Sequence, residues 1–319
     1  VIALRARLAS ASVGLFLVGI AVGSATDRFV DRPEIRRGGY RVLQGDFHVH
    51  TRFSDGFSSP LDIPFLAARQ GLDVVGVTEH NNVFPGKMAR AVSEAIGGPR
   101  VIVGEEITSN RFHMIAVGLD ARIPAGFPVE EAAKRVHAQN GLAIAAHPVR
   151  PFWPMFDPAL DTLDGAEVMH PIAYRGVERR GWRWHEMVEF YERARAAGHP
   201  LAAIGSSDYH FFKVLGACRT YIFAGDDSEA AVLDAIRAKR TVVFDLEGKP
   251  YGDPEMIALL DRDPLPDRGR FVAPGYESNG GLDAFGRFAG WLGLVGILFF
   301  GAPDLKIIRR EGSREPASP

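Results

Sequence analysis

The chain has 319 residues, 46% of them hydrophobic and 24% charged, which is enough for one large domain or two small ones and excludes disorder in bulk. A formal net charge of -2 gives no support to a nucleic-acid surface, for which a basic footprint is expected. The one cysteine, Cys218, excludes an internal disulfide and thiolate zinc sites, so any metal must be held by imidazole and carboxylate; Cys218 itself reads as a small packed hydrophobe.

Residues 8–26, LASASVGLFLVGIAVGSAT, carry no charge and follow Arg5 and Arg7. They are long enough to cross a hydrocarbon core of about 30 Å as a helix, and Gly23 and Ala25 equally suit a signal-peptide cleavage site. From residue 40 onward, short apolar runs alternate with helical patterns. Strands are predicted at YRVLQGDFHVH, DVVGVTEH, RVIVGEEIT, FHMIAVGL, LAIAAHP, AEVMHP, LAAIGSSDYH, RTYIFA and TVVFDL. Helices are predicted at SPLDIPFLAARQGL, opening on a serine cap and Pro60, at PVEEAAKRVHAQNG, at RRGWRWHEMVEFYERARAAG, whose aromatic cluster reads as a packed face, and at DDSEAAVLDAIRAKR. Strand and helix in alternation imply a mainly parallel sheet, and this many repeats in about 200 residues favour a closed barrel over an open doubly wound sheet. No G-x-G-x-x-G or Walker loop follows the first strand, which removes the usual nucleotide-cofactor readings.

The globular domain is expected at 40–247. Proline, glycine and charge then dominate residues 248–284, which read as a linker. Residues 288–303, FAGWLGLVGILFFGAP, form a second expected transmembrane helix, with Arg287 and Trp291 near the interface. The short basic tails, Arg5 and Arg7 at one end and Lys306, Arg309, Arg310 and Arg314 at the other, are expected to stay cytoplasmic. That makes the chain membrane-anchored, with its domain extracytoplasmic, either periplasmic or extracellular.

His48 and His50 stand one residue apart, and on an extended strand such residues share a face. This is the geometry of a metal pincer, although the same spacing also occurs as ordinary packed histidines. Almost every predicted strand then ends in a metal-competent residue: His48, His50 and Asp55, then His80, Glu106, His113, His147, and Asp208 with His210. In a barrel of parallel strands these ends converge on one face. Nine ligands are too many for one ion and suit two or three ions bridged by carboxylate, an arrangement that holds both the attacking and leaving oxygens of a phosphoryl ester.

The motifs stand in the order H-x-H with S-D-G, an acidic residue with His, G-x-E, a lone His, H-P, and S-D-x-H. This order resembles the polymerase and histidinol phosphatase (PHP) superfamily, and within it the short-form phosphoesterases, over roughly residues 44–246. The resemblance implies an α/β fold, a distorted TIM-like (β/α)7 barrel flanked here by the terminal apolar helices, with two or three divalent manganese, zinc or iron ions. It implies that His48, His50, Glu106 and Asp208 surround one ion, that Glu106 bridges to a second held by His113 and His147, and that Asp55, His80 and His210 hold the third. Glu106, Asp208 and His210 are then the catalytic residues. Glu79 in TEHN departs from the aspartate more usual there. Glu105 is the neighbouring alternative to Glu106, but on a strand it faces the other way.

Arg52, Asn81, Asn82, Arg150 and Lys213 lie just beyond ligand motifs and are candidates for contacts to a substrate phosphate. His137, His170, His185 and His199 read as structural, with His170 at a strand end where it can line the pocket. The function implied is hydrolysis of phosphate esters, whether phosphorylated small molecules, nucleotides or oligonucleotides, by metal-activated water. The alternatives are a metal-dependent amidohydrolase and a non-catalytic metal-binding or sensor module at the membrane. No specific protein partner is implied.

Overall fold

Residues Asp31–Gly275 form one unit around an 11-stranded sheet. After a short strand at Arg36–Arg37 its members are β1 (Tyr40–Asp46), β2 (Val74–His80), β3 (Arg100–Thr108), β4 (His113–Val117), β5 (Leu142–Ala145), β6 (Gly165–Met169), β7 (Ala202–Gly205), β8 (Thr220–Ala224), β9 (Thr241–Phe244) and β10 (Pro250–Gly252). The order across the sheet is β10-β9-β8-β1-β2-β3-β4-β5-β6-β7. The computed structural model describes residues 2–26, 28–29, 33–175, 181–210, 214–265, 276–277 and 280–301.

Strands β1, β2, β3, β5, β6, β7 and β9 run one way, and β4, β8 and β10 run against them. With the short Arg36–Arg37 strand, which is also antiparallel to β1, the expected parallel alternation therefore carries four antiparallel members. The β3–β4 connection is a tight loop at 109–112, too short for the crossover that a parallel pair needs. Gly104 in β3 is required at this pairing, since a Cβ there would overlap the Ala116 carbonyl of β4.

The sheet curls into a nearly closed barrel. At its seam the Thr220 hydroxyl of β8 accepts from the Gly205 amide of β7 at 2.9 Å and donates to the Gly205 carbonyl at 3.0 Å. One side chain thus satisfies backbone groups that a ladder would otherwise pair. A cluster of fully buried side chains including Leu43, Phe47, Ile102, Ile115, Ile144, Ile204 and Ile222 comes from strands all round the sheet, which places it in the barrel interior.

Helices return the chain between strands. The first begins at Ile63, not at the predicted Ser59, because Ser59 and Asp62 are engaged in a turn: Asp62 N donates to Ser59 O at 2.9 Å. Phe84–Ile96 ends on a left-handed Gly97, and Ser228 caps Glu229–Arg237 by accepting from Ala231 N.

The expected linker at 248–284 does not begin at 248. Residues 250–252 pair with β9 as an edge strand, and Pro254–Arg262 is a helix capped by the Asp253 carboxylate, with Met256 and Leu260 buried. Proline suits both an edge strand and the first turn of a helix, so composition alone misread these residues.

The second unit contains the chain ends, Val1–Val30 with Tyr276–Pro319. Helices Ile2–Thr26 and Gly280–Gly301 run antiparallel, with Ser12 facing Gly296, Phe16 facing Gly293, Gly19 facing Gly290 and Gly23 facing Gly286. A Cβ on Gly19 or Gly293 would overlap the opposing backbone, so the small residues are what permit this approach. By length and composition, Ala3–Gly23 and Gly281–Gly301 are apolar enough to cross a membrane; both ranges begin earlier than the sequence patterns at 8–26 and 288–303.

Candidate metal centre

After β1 the chain leaves the ladder and forms a single parallel bridge between Val49 and Tyr209. His50 N donates to Tyr209 O at 2.9 Å and Tyr209 N to His48 O at 3.0 Å. Val49 and Tyr209 turn into one apolar cluster, and on the other side His48 and His50, which alternate with Val49, meet Asp208 and His210, with Asp208 Oδ1 3.5 Å from His48 Nε2, 3.6 Å from His50 Nε2 and 3.1 Å from His210 Nδ1. Asp46 ties the two segments: its carboxylate accepts from His48 N at 3.3 Å, Ser207 N at 3.0 Å and Gly216 N at 2.8 Å. Burial pushes this carboxyl up despite those donors.

Glu106 lies at the focus. Its oxygens are 2.6 Å from His80 Nδ1, 2.9 Å from His113 Nδ1, 3.2 Å from His147 Nε2, 3.3 Å from His48 Nε2 and 3.7 Å from His50 Nε2. His113 is close because β4 runs antiparallel, which brings its first residue to the rim where β3 ends. Asp55 Oδ1 stands 3.0 Å from His210 Nε2 and 3.3 Å from His80 Nε2. Gly56, which follows it, lies where a Cβ would be 2.6 Å from the His50 carbonyl, so the glycine lets the loop fold back on the histidine.

All nine expected ligands are brought together. Eight of them fall into three overlapping groups: His48, His50 and Glu106; Glu106, His113 and His147; and His50, Asp55, His80 and His210; the ninth, Asp208, stands beside these with Oδ1 3.5 Å from His48 Nε2 and 3.6 Å from His50 Nε2. Within each group, the ligand atoms lie within 4.8 Å of one another. His48 Nε2, both ring nitrogens of His50 and His147 Nδ1 are buried without a hydrogen bond, a costly arrangement unless another partner binds there. His147 and Asp208 have φ of 27° and 43°, a left-handed conformation that non-glycine residues seldom adopt and that clusters at functional sites.

Burial opposes charge on Glu106, but His48, His113 and His147 outweigh it and hold this carboxyl well below its usual range; Asp208 is held down by His48 and His170 in the same way. Burial works against the protonated forms of His80 and His210 too. Asp55 and Glu106 nonetheless raise His80 to about 9, and Asp208 and Asp55 raise His210 to about 10.

Several contributors escaped the sequence reading. Glu167 on β6 is fully buried, 2.9 Å from His48 Nδ1, and accepts from Ser206 Oγ at 2.6 Å and His147 N at 2.5 Å. His170, read as structural but at a strand end where it can line the pocket, stands at the site, with Nε2 3.2 Å from Asp208 Oδ2. Trp182 stacks on His147 at 4.7 Å and Phe152 on His113 at 5.5 Å. The departure at Glu79 has a structural role: its buried carboxylate accepts from Thr51 N and Ser54 Oγ, holding the loop that carries Asp55. Glu105 turns away, accepting from Ile123 N, and burial pushes its carboxyl up to about 7.

The expected phosphate contacts are more dispersed. Arg52 is exposed on the Asp55 loop, Asn82 Oδ1 accepts from Phe84 N at the start of a helix, and Arg150 pairs with Glu189 at 3.0 Å. Asn81 bonds Thr108, and Lys213 lies outside the described residues. His137 pairs with Asp164 and His199 with Asp161, while His185 is exposed on its helix. Cys218 is buried.

Among known proteins, the chain is 31% identical over 151 residues to an uncharacterized protein of Methanocaldococcus jannaschii, covering 42% of this chain and 86% of that one. Its fold is similar to that of a two-domain protein from Bacteroides vulgatus containing a predicted PHP-like metal-dependent phosphoesterase, with TM-score 0.56, 20% identity, and coverage of 74% of this chain and 73% of that one. A lesion-specific endonuclease from Pyrococcus furiosus superposes with TM-score 0.42 at 13% identity, covering 78% of this chain and 71% of that one. The PHP domain matches residues 46–261, a range that takes in all nine candidate ligands and most of the barrel, and the chain belongs to the PHP domain family.

Proposed function

We propose that this protein hydrolyses phosphate esters at a centre of two or three divalent transition-metal ions, manganese, zinc or iron. The observation that carries the reading is the overlap of three ligand groups at Glu106 and His50. The donor set fits such ions, being wholly imidazole and carboxylate, with buried ring nitrogens that no protein group satisfies. His48, His50, Glu106 and Asp208 would hold one ion, Glu106, His113 and His147 a second, and Asp55, His80 and His210 a third. Ions held there supply Lewis acidity toward phosphoryl oxygens and bring the pKa of water toward neutrality.

The chain's own part is placement. Glu167 accepts the His48 Nδ1 proton and so directs Nε2 at the centre. Glu79 fixes the loop that carries Asp55, whose half-exposed carboxylate leaves that side open to substrate. Asp208 and His210, 3.1 Å apart, stand where an attacking water and a leaving oxygen can be oriented, and with Glu106 they are the proposed catalytic residues. Arg52 is the best-placed phosphate contact; Arg150 would first have to leave Glu189. The two apolar helices hold the enzyme at a membrane, and the short basic tails favour an extracytoplasmic barrel.

The test is a screen of the full-length protein in detergent, loaded with manganese or zinc, against an aryl phosphate, nucleotides, sugar phosphates and short oligonucleotides. Chelator-sensitive phosphate release is the expected result. Full metal occupancy with no turnover on any ester overturns the reading.

A further inference from the structure

We propose that the rim beside Asp55, His80 and His210 binds an alkyl or acyl chain, so that the substrate of the site is an amphiphilic phosphate ester; this rests on the phosphoesterase reading above. Among the described residues of the barrel unit, six large hydrophobic side chains are exposed: Phe53, Phe57, Leu61, Phe84, Val214 and Leu246. All but Leu246 lie on segments that follow β1, β2 and β7 at the ligand-bearing rim, and these five are between 44 and 71% exposed.

Four of the five are tied to the site by contact or by chain proximity to its residues. Phe53 is two residues from Asp55, and its ring meets Phe84 edge-on at 6.1 Å. Phe57 N donates to His210 O at 2.9 Å, and Ser58, beside it, bonds the Tyr209 hydroxyl at 2.8 Å. Phe84 opens the helix four residues after His80, and Val214 follows His210 at the same interval. Exposed apolar side chains gathered on the segments of one rim, a collar in which Phe53 and Phe84 are in contact, point to a binding function.

The occupant follows from what surrounds the collar. It must carry a phosphate, because the collar borders the ligand centre. A nucleic acid would want a basic stripe, whereas the net charge is -2 and Arg150 is engaged with Glu189. Leu61 and Val214 offer no planar face on which a base could stack, but aliphatic and aromatic groups together suit a hydrocarbon chain. Two helices apolar enough to cross a membrane would keep the enzyme where such amphiphiles reside.

The experiment uses the full-length protein in lipid nanodiscs with manganese and a series of n-alkyl phosphates from ethyl to decyl. In the wild type, kcat/KM should rise by up to about fourfold per added methylene, mainly through KM, until the collar is filled. In the Phe57→Ser/Phe84→Ser double variant the slope against chain length should fall to half or less, with metal content and melting temperature retained. A flat wild-type series, or a slope that survives in the variant as bilayer partition alone would give, overturns the collar while ethyl phosphate turnover leaves the phosphoesterase reading standing. If no ester of any kind is hydrolysed at full metal occupancy, both fall.

Discussion

His48 Nδ1 lies 2.9 Å from Glu167 Oε1, and both side chains are fully buried. The contact fixes which ring nitrogen carries the proton and turns the other toward Glu106 and Asp208. Glu167→Ala should therefore lower metal affinity by about 10- to 100-fold, as loss of a group orienting a ligand histidine does. Competition titration against a chelator measures it, with circular dichroism confirming the fold. Unchanged affinity would show that His48 is oriented by packing alone.

Glu106 and Glu105 form a natural pair of variant and control. Glu106→Gln removes the charge facing five histidines, so at least one ion should be lost or weakened and turnover should fall by roughly the several kcal/mol that Lewis-acid stabilisation supplies. Glu105→Gln keeps an acceptor for Ile123 N and should change stability by no more than about 1 kcal/mol. Metal analysis with kinetics decides; the reverse ranking would mean that the G-x-E register has been misassigned.

The pH dependence follows from His80 and His210, raised to about 9 and about 10 when no ion is bound. Their raised values stabilise the metal-stripped protein fully below the ordinary histidine value of 6.5, and that contribution is lost as pH rises through 9 and 10. An ion must displace these protons, so its apparent affinity should climb over the same interval. Calorimetry at pH 7.5 in buffers of different ionisation enthalpy should find protons released on manganese binding. No release would mean that the two rings are neutral before the metal arrives.

Much of this site was legible because its candidate ligands follow short strands at fixed spacing, so that H-x-H, H-P and D-x-H each announce themselves. Glu167 was not, since one acidic residue within AEVM looks like an interruption of an apolar run; its isolation there was the available signal. His170 stands before a proline just as His147 does, but without a fold nothing shows its ring facing Asp208. The left-handed backbone at His147 and Asp208 is also invisible to local preference, which disfavours it; tertiary contacts impose it. Beyond residue 248, Asp253 before Pro254 was a readable helix start, obscured by the proline-rich window around it.

The packing of Ile2–Thr26 against Gly280–Gly301 bears on whether the first helix is removed. Small residues at Ser12, Gly19 and Gly23 meet Gly296, Gly290 and Gly286, and Arg5 Nε donates to Phe300 O at 3.2 Å. An N-terminal tag should persist on the mature protein, and protease added to intact cells, after any outer envelope is opened, should digest the barrel and spare both tails. Loss of the tag would identify a cleaved leader. A barrel protected until the inner membrane is lysed would reverse the topology.

The barrel seam offers a separate test of how closure supports the centre. Thr220 Oγ1 exchanges two hydrogen bonds with the Gly205 backbone, and β7 leads from Gly205 directly into Ser206, Ser207 and Asp208. Thr220→Val preserves shape but leaves a buried amide and carbonyl without partners, which should cost about 2–4 kcal/mol. Thr220→Ser keeps the hydroxyl and loses only a methyl, about 1 kcal/mol. Denaturant midpoints at unchanged slope give both values. Since the seam positions the Asp208 segment, the Val variant should also bind metal more weakly than the Ser variant. A Val variant as stable and as metal-competent as the wild type, with the Ser variant the weaker of the two, would show that Thr220 acts through its methyl packing and that the seam is held by the apolar contacts around it.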